Sequence, residues 1–201
     1  MQITFISLKI SGRLFSICLI KDQGTLQEDL AVRYGLQICS LVEYLHHSCN
    51  QPILHLDLQP NNLIIWNDTV RLIDFDHAAD RISANAARVR YGTEGCAAPE
   101  QYTSDHPLDE RTDIYAIGAV LYYMLTGHSL ENDPAEQVKL SGVTERRLMR
   151  VIRKCLHTEK SRRYQSALDL EQELQKLWDQ SDCTAYRYGA RRMEESLVIT
   201  V

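Results

Sequence analysis

The run PILHLDLQPNNLIIWNDTVRLIDFD at residues 52–76 limits the possible folds of this chain more than any other stretch. It reads as a polar loop set between short apolar strands, with Asn67-Asp68 at the tip of a hairpin. A hairpin there returns Asp74 to the side of the loop that carries His55, Asp57 and Asn62. Ahead of it, ITFISLKI and RLFSICLI alternate as two strands about a Ser11-Gly12 turn, until Asp22-Gln23-Gly24 breaks the pattern. The period then changes, and Tyr34, Ile38, Leu41 and Leu45 share one face of a helix that ends near His46.

Residues 76–111 hold little periodicity and much Ala, Arg and Gly, and read as a long ordered loop of the kind that carries function. A helix follows over 112–126, with Ile114, Ile117, Leu121 and Leu125 on one face. Another runs over 144–156, with Leu148, Val151, Ile152 and Cys155 inward. A last helix starts at Ser166, whose hydroxyl can cap it, and continues through Leu170, Leu174 and Leu177. The closing LVITV reads as a strand cut short, and nothing in the chain repeats.

With 201 residues, 44% of them hydrophobic and 24% charged, the chain has the material for one domain with a real core. Its formal net charge of -5, with no Lys/Arg block, argues against a nucleic-acid surface. The six cysteines form no CxxC and no metal-ligand spacing, as expected of buried reduced thiols in a cytoplasmic protein. No apolar run reaches the roughly 18 residues that span a bilayer, and the start lacks the order of a signal peptide.

In-line phosphoryl transfer needs a carboxylate to orient the attacking hydroxyl, oxygen ligands for Mg²⁺, and positive charge on the phosphates. His55-x-Asp57-x-x-x-x-Asn62 has the H-x-D-x-x-x-x-N spacing, and Asp74 in LIDFD follows across the hairpin. An HxD alone says little; HxDxxxxN, hairpin and IDFD together point to this chemistry.

HLDLQPNN, LIDFD, GTEGCAAPEQ and DIYAIG, in that order, resemble the C-terminal lobe of a eukaryotic-like, bacterial Ser/Thr protein kinase over roughly residues 3–178. The resemblance implies an α+β fold: a mainly helical kinase-like lobe at 25–178, a short β-hairpin remnant and hinge at 1–24, and a linker with an undetermined segment at 179–201. It implies transfer of the ATP γ-phosphate, with Mg²⁺, to Ser or Thr hydroxyls of a protein substrate. Asp57 then matches the catalytic base, and Gln59 and Thr93 the neighbouring catalytic-loop and substrate-docking positions. Asn62 and Asp74 match the metal ligands, and Ile20, Asp22 and Ile64 join them around the nucleotide. Glu100 of Ala98-Pro99-Glu100 is expected to pair with Arg163, and Asp113 to hold the catalytic loop's backbone. His46-His47 is expected to cap its helix in solvent, and Arg81, Arg88 and Arg90 to stay in water.

Four departures from the family pattern stand out. Leu56 replaces the Arg of HRD, which removes a guanidinium for a phosphate on the activation segment. Gln59 replaces a Lys that neutralises the transferring phosphate, a loss worth on the order of 10²-fold in rate. Asp76 replaces the Gly of DFG, which removes a conformationally permissive position and adds a carboxylate. The Gly-rich loop, the strand Lys and the helix Glu have no counterpart, so the expectation is that the chain as given is truncated at its N-terminus and inactive by itself. Two other readings stay open. One is a pseudokinase acting as a binding or scaffold module, mildly favoured by the short stretch 127–143. The other is a small-molecule phosphotransferase of the aminoglycoside-kinase type, which LIDFDHA fits.

Overall fold

A computed structural model describes residues 25–48, 52–86, 92–103, 106–130 and 146–180. The two opening strands, Ile20, Asp22, Arg88, Arg90, residues 131–143 and the closing LVITV lie outside the described residues.

Helix α1, Glu28–Glu43, starts with Glu28 and Asp29, whose charges suit the positive end of the helix dipole. It runs on into a π turn at Tyr44–Ser48, and the expected face of Tyr34, Ile38, Leu41 and Leu45 is buried. The hairpin forms as the sequence predicts. Strands β1, Leu63–Trp66, and β2, Thr69–Leu72, are antiparallel, with Trp66 opposite Thr69. Asn67 and Asp68 turn the corner at φ 48 and 63, the left-handed pair that matches the twist of a two-residue hairpin. Gln37 of α1 clamps that turn: its Nε2 donates to the Asp68 carbonyl at 2.9 Å, and its Oε1 accepts the Val70 N–H at 2.8 Å.

The expectation of an unbroken loop over 76–111 needs correction. Helix α2, Arg81–Ala86, lies within it, and Pro99–Gln101 forms a 3-10 turn. Asp80 makes α2 possible, since its Oδ1 accepts the N–H groups of Ile82 at 2.8 Å and Ser83 at 3.0 Å. Fewer than two turns leave no periodicity to read in the sequence.

Helix α3, Glu110–Thr126, begins two residues before the predicted 112 because Asp109 caps it. The Asp109 carboxylate accepts the Arg111 N–H at 3.0 Å, while Thr112 Oγ1 accepts the Asp109 N–H at 3.3 Å. Gly127, at φ 70, ends it in the left-handed conformation. Helix α4, Arg146–Cys155, buries Leu148, Val151, Ile152 and Cys155 as expected. Helix α5, Ala167–Gln180, has its first turn held by Ser166 Oγ, which accepts the Asp169 N–H at 3.0 Å. The fold is therefore α+β and mainly helical. Among the described residues, no helix is long and apolar enough to cross a membrane. Cys39, Cys96 and Cys155 are buried free thiols.

Helix α3 is the hub, buried on nearly every side and packed against α1, α4 and α5. Two glycines allow this. A Cβ at Gly35 of α1 would stand 2.9 Å from Leu121 Cδ2 and 3.1 Å from Leu174 Cδ1. A Cβ at Gly118 of α3 would stand 2.5 Å from Cys155 Cβ. The second contact joins atoms fixed to two backbones, whereas the first meets side-chain ends that can rotate. Gly118→Ala is expected to cost about 1–3 kcal/mol and Gly35→Ala less, an order that urea denaturation of the two variants checks.

Candidate active site

The loop that carries Asp57 hangs from α3 by one carboxylate. Asp113, fully buried, accepts the His55 N–H at 2.8 Å on Oδ2 and the Leu56 N–H at 2.9 Å on Oδ1. His46 Nε2 donates to the same Oδ2 at 2.8 Å. Burial pushes the Asp113 carboxyl up, but the His46 hydrogen bond and the facing histidines hold it below the usual carboxylate range. This carries out the role expected of Asp113 and corrects the one given to His46. That ring is 3% exposed rather than solvated, because the π turn carries it inward onto the carboxylate. His47, its neighbour, is exposed and pairs with Glu43 at 3.0 Å.

The anchored backbone is strained. Leu56 has φ 63, a left-handed conformation that costs about 1–3 kcal/mol in a side chain of this kind. Its N–H is tied to Asp113, and its carbonyl accepts from Gln101 Nε2 at 2.8 Å. His55 is buried, and burial lowers its pKa although the Asp113, Asp57 and Asp74 carboxylates pull it upward. The ring packs against Phe75, with centroids 4.9 Å apart, and so seats LIDFD on the loop.

Three of the other expected site residues meet at Asp57. Its Oδ1 accepts the Thr93 hydroxyl at 2.6 Å. Its Oδ2 accepts Gln59 Nε2 at 3.0 Å and Asn62 Nδ2 at 2.8 Å. Asn62 Nδ2 also donates to the Asp57 carbonyl at 2.9 Å, which spends the amide hydrogens and leaves the amide oxygen for a cation. The Ile73 N–H donates to the Asn62 carbonyl at 3.0 Å, so the residue before Asp74 is bonded directly to Asn62. Asp74 is exposed at φ 64, and its Oδ1 accepts the Asp76 N–H at 3.3 Å. The left-handed position of this turn is thus Asp74 and not Asp76, so the missing Gly at 76 removes nothing the backbone uses here. Ile64 lies half-buried on β1 opposite Arg71, and no bond brings it to Asp57.

Among the described residues, no group of three or more His, Cys, Asp and Glu is gathered around a point. One amide oxygen and one exposed carboxylate form a donor set that suits Mg²⁺, which keeps its waters and takes few protein ligands.

Glu100 and Arg163 pair as expected, at 2.7 Å from Nη1 and 2.8 Å from Nη2. Arg163 also donates to the carbonyls of His157 at 2.7 Å, Arg111 at 2.9 Å and Thr158 at 3.1 Å, so all five of its N–H groups are used. Asp109 adds a second tie, accepting Lys160 Nζ at 2.8 Å and Arg111 Nη2 at 2.8 Å. Arg81 stays largely in water, 61% exposed, and touches Glu110 at 3.2 Å. Sequence reasoning missed His46, Asp109 and Gln101. The capping-box spacing of Asp109 and Thr112 was readable, whereas the other two carry no local signal.

Asp113 ties the site to pH. A carboxyl held low in the folded state contributes stability that is complete above the ordinary carboxylate value of about 4 and is lost as pH falls through the folded value. Asp113→Ala is expected to lose about 3–5 kcal/mol at neutral pH, as when one partner of a buried pair is removed. Asp113→Asn is expected to make the loss of stability on acidification shallower than in the parent, as read from urea midpoints across pH.

Comparison with known proteins agrees with this geometry. The family model of the protein kinase domain matches residues 8–193. Smooth muscle myosin light chain kinase of Gallus gallus is 35% identical over 136 residues, 66% of this chain and 7% of that protein. The probable serine/threonine-protein kinase zyg-1 of Caenorhabditis briggsae is 30% identical over 151 residues, 73% of this chain and 21% of its own length. A probable serine/threonine-protein kinase of Clostridium perfringens is 27% identical over 176 residues, 79% of this chain and 25% of that one. The chain therefore spans a quarter or less of each of these relatives. With its loop, hairpin and Glu100–Arg163 pair covered by one family match, the chain belongs to the protein kinase domain family.

Proposed function

We propose that this site transfers the γ-phosphate of ATP to Ser or Thr hydroxyls of a protein substrate, with Asp57 orienting the acceptor. The observation that carries the reading is the carboxylate of Asp57, held at once by Thr93, Gln59 and Asn62 on a backbone anchored to α3. Three donors fix its direction, and Oδ1, which among the described residues takes Thr93 alone, keeps a lone pair for an acceptor hydroxyl. In the reaction, the acceptor oxygen bonds to the γ-phosphorus as its proton passes to Asp57, and the bond to the bridging oxygen of ADP breaks. Asn62 and Asp74 are the residues that would hold Mg²⁺, which when bound neutralises charge on the phosphates. The Ser/Thr kinase names of the Caenorhabditis and Clostridium relatives support the choice of acceptor.

Gln59 favours a second reading, a scaffold that transfers nothing. Its neutral amide stands where the family uses a Lys and is directed at Asp57. One experiment separates the two. With the site in the full-length protein, transfer of radiolabelled phosphate from ATP to a generic Ser-containing basic protein is expected to require Mg²⁺ and to vanish in Asp57→Ala and Asp74→Ala. Calorimetric Mg²⁺–ATP binding is expected to survive Asp57→Ala and to weaken in Asp74→Ala. Full activity in both variants would overturn the site assignment, and a parent protein that transfers no phosphate would favour the scaffold. Gln59→Lys is expected to raise the rate on the order of 10²-fold, by restoring a charge that stabilises the transferring group.

A further inference from the structure

Gln101 joins the two segments that build the acceptor side of the site. Its side chain is 2% exposed, and both ends of its amide are bonded. Nε2 donates to the Leu56 carbonyl at 2.8 Å, in the loop that carries Asp57. Oε1 accepts the Ala98 N–H at 3.0 Å, in the segment that carries Thr93 and Glu100. The same two segments meet again where the Thr93 hydroxyl reaches Asp57 at 2.6 Å. Gln101 is itself fixed, since its own N–H donates to the Ala98 carbonyl at 2.9 Å, beside the Glu100–Arg163 pair.

The Leu56 carbonyl is the end that needs holding. The residue sits in a left-handed conformation, and Asp113 restrains only its N–H side. A strained peptide tied at one end can relax by turning the other, which would swing Asp57, the next residue. A buried side chain that must donate at one end and accept at the other has few forms. Ionised Glu has no donor, Leu has neither group, and Asn is one methylene too short for the same span.

We propose that Gln101 is a positioning residue that keeps the acceptor segment in register with Asp57, and that it does so without charge. Leu56 offers no guanidinium to a phosphate on the segment, and both bonds of the amide strut join neutral groups. The register is therefore set constitutively rather than by phosphorylation of the segment. This rests on the reading of Asp57 as the orienting carboxylate, but its structural half can be tested without turnover.

The test compares backbone hydrogen exchange of the whole chain with that of Gln101→Leu and Gln101→Glu, alongside phosphate transfer. Gln101→Leu, which removes both bonds of the amide, is expected to speed exchange about tenfold or more at residues 54–62 and 93–102 and to leave α5 unchanged. Gln101→Glu is expected to match it near pH 8 and to regain protection relative to the parent near pH 5, where a buried carboxyl takes a proton and donates again. In the transfer assay, kcat is expected to fall while Mg²⁺–ATP binding holds. Phosphatase treatment of the parent is expected to change none of this. Equal exchange in parent and Gln101→Glu at both pH values would overturn the proposal, as would acceleration spread evenly through α5, or loss of protection after phosphatase. If Gln101→Leu does not fold, the pH dependence of Gln101→Glu decides alone. The exchange pattern without any transfer by the parent would leave the strut standing and remove the enzymatic reading instead.

Discussion

A carboxylate buried in the core holds this site together. Asp113 is worth its burial only because both oxygens are engaged, by two backbone N–H groups of the next segment and by His46. Everything upstream serves to put that carboxylate in place. The close approach of α3 to α4 at Gly118, and of α1 to α3 at Gly35, fixes the helix that carries it. Everything downstream hangs from it: the left-handed Leu56, then Asp57, then the donors that fix the direction of Asp57. A charge buried deep in the core thus sets the direction of one near the surface.

The same helix gathers a second set of ties at its N-terminus. Asp109 receives Lys160 and Arg111, while Glu100 receives Arg163 and the Thr112 hydroxyl. These pairs bind the acceptor segment and the stretch before α5 to the start of α3. Loop and acceptor segment are therefore referred to one rigid element, a few residues apart along it. This suits a reaction in which positioning does most of the work.

Much of this was legible in the sequence because it is written in local patterns. The faces of α1, α3 and α4 follow helical period, the hairpin follows Asn67-Asp68, and α5 follows its Ser166 cap. Motif spacing and family resemblance singled out Asp57, Gln59, Asn62 and Thr93 one by one, while the hydrogen bonds that join them were not legible there. What escaped has a common physical cause. His46 looked like a solvated helix end because nothing near it in the chain shows that a π turn will carry it onto a carboxylate 67 positions away. Gln101 drew no assignment from the sequence, since its partner Leu56 is 45 positions back. Helix α2 was too short to leave a period. Long-range polar contacts inside a core have no sequence signature of their own.

Cys96 gives the acceptor segment one further property. It lies three residues from Thr93, is 5% exposed, and has its thiol pushed up to about 12, by burial first and by the Asp57 charge second. The thiol there stays protonated at neutral pH, and thiolate is the form that oxidants and alkylating reagents attack. The negative charge that would orient an acceptor hydroxyl also shields the neighbouring sulfur. Burial and charge thus act on Cys96 in the same direction, and a reagent aimed at that thiol meets a side chain that is both covered and held in its protonated form.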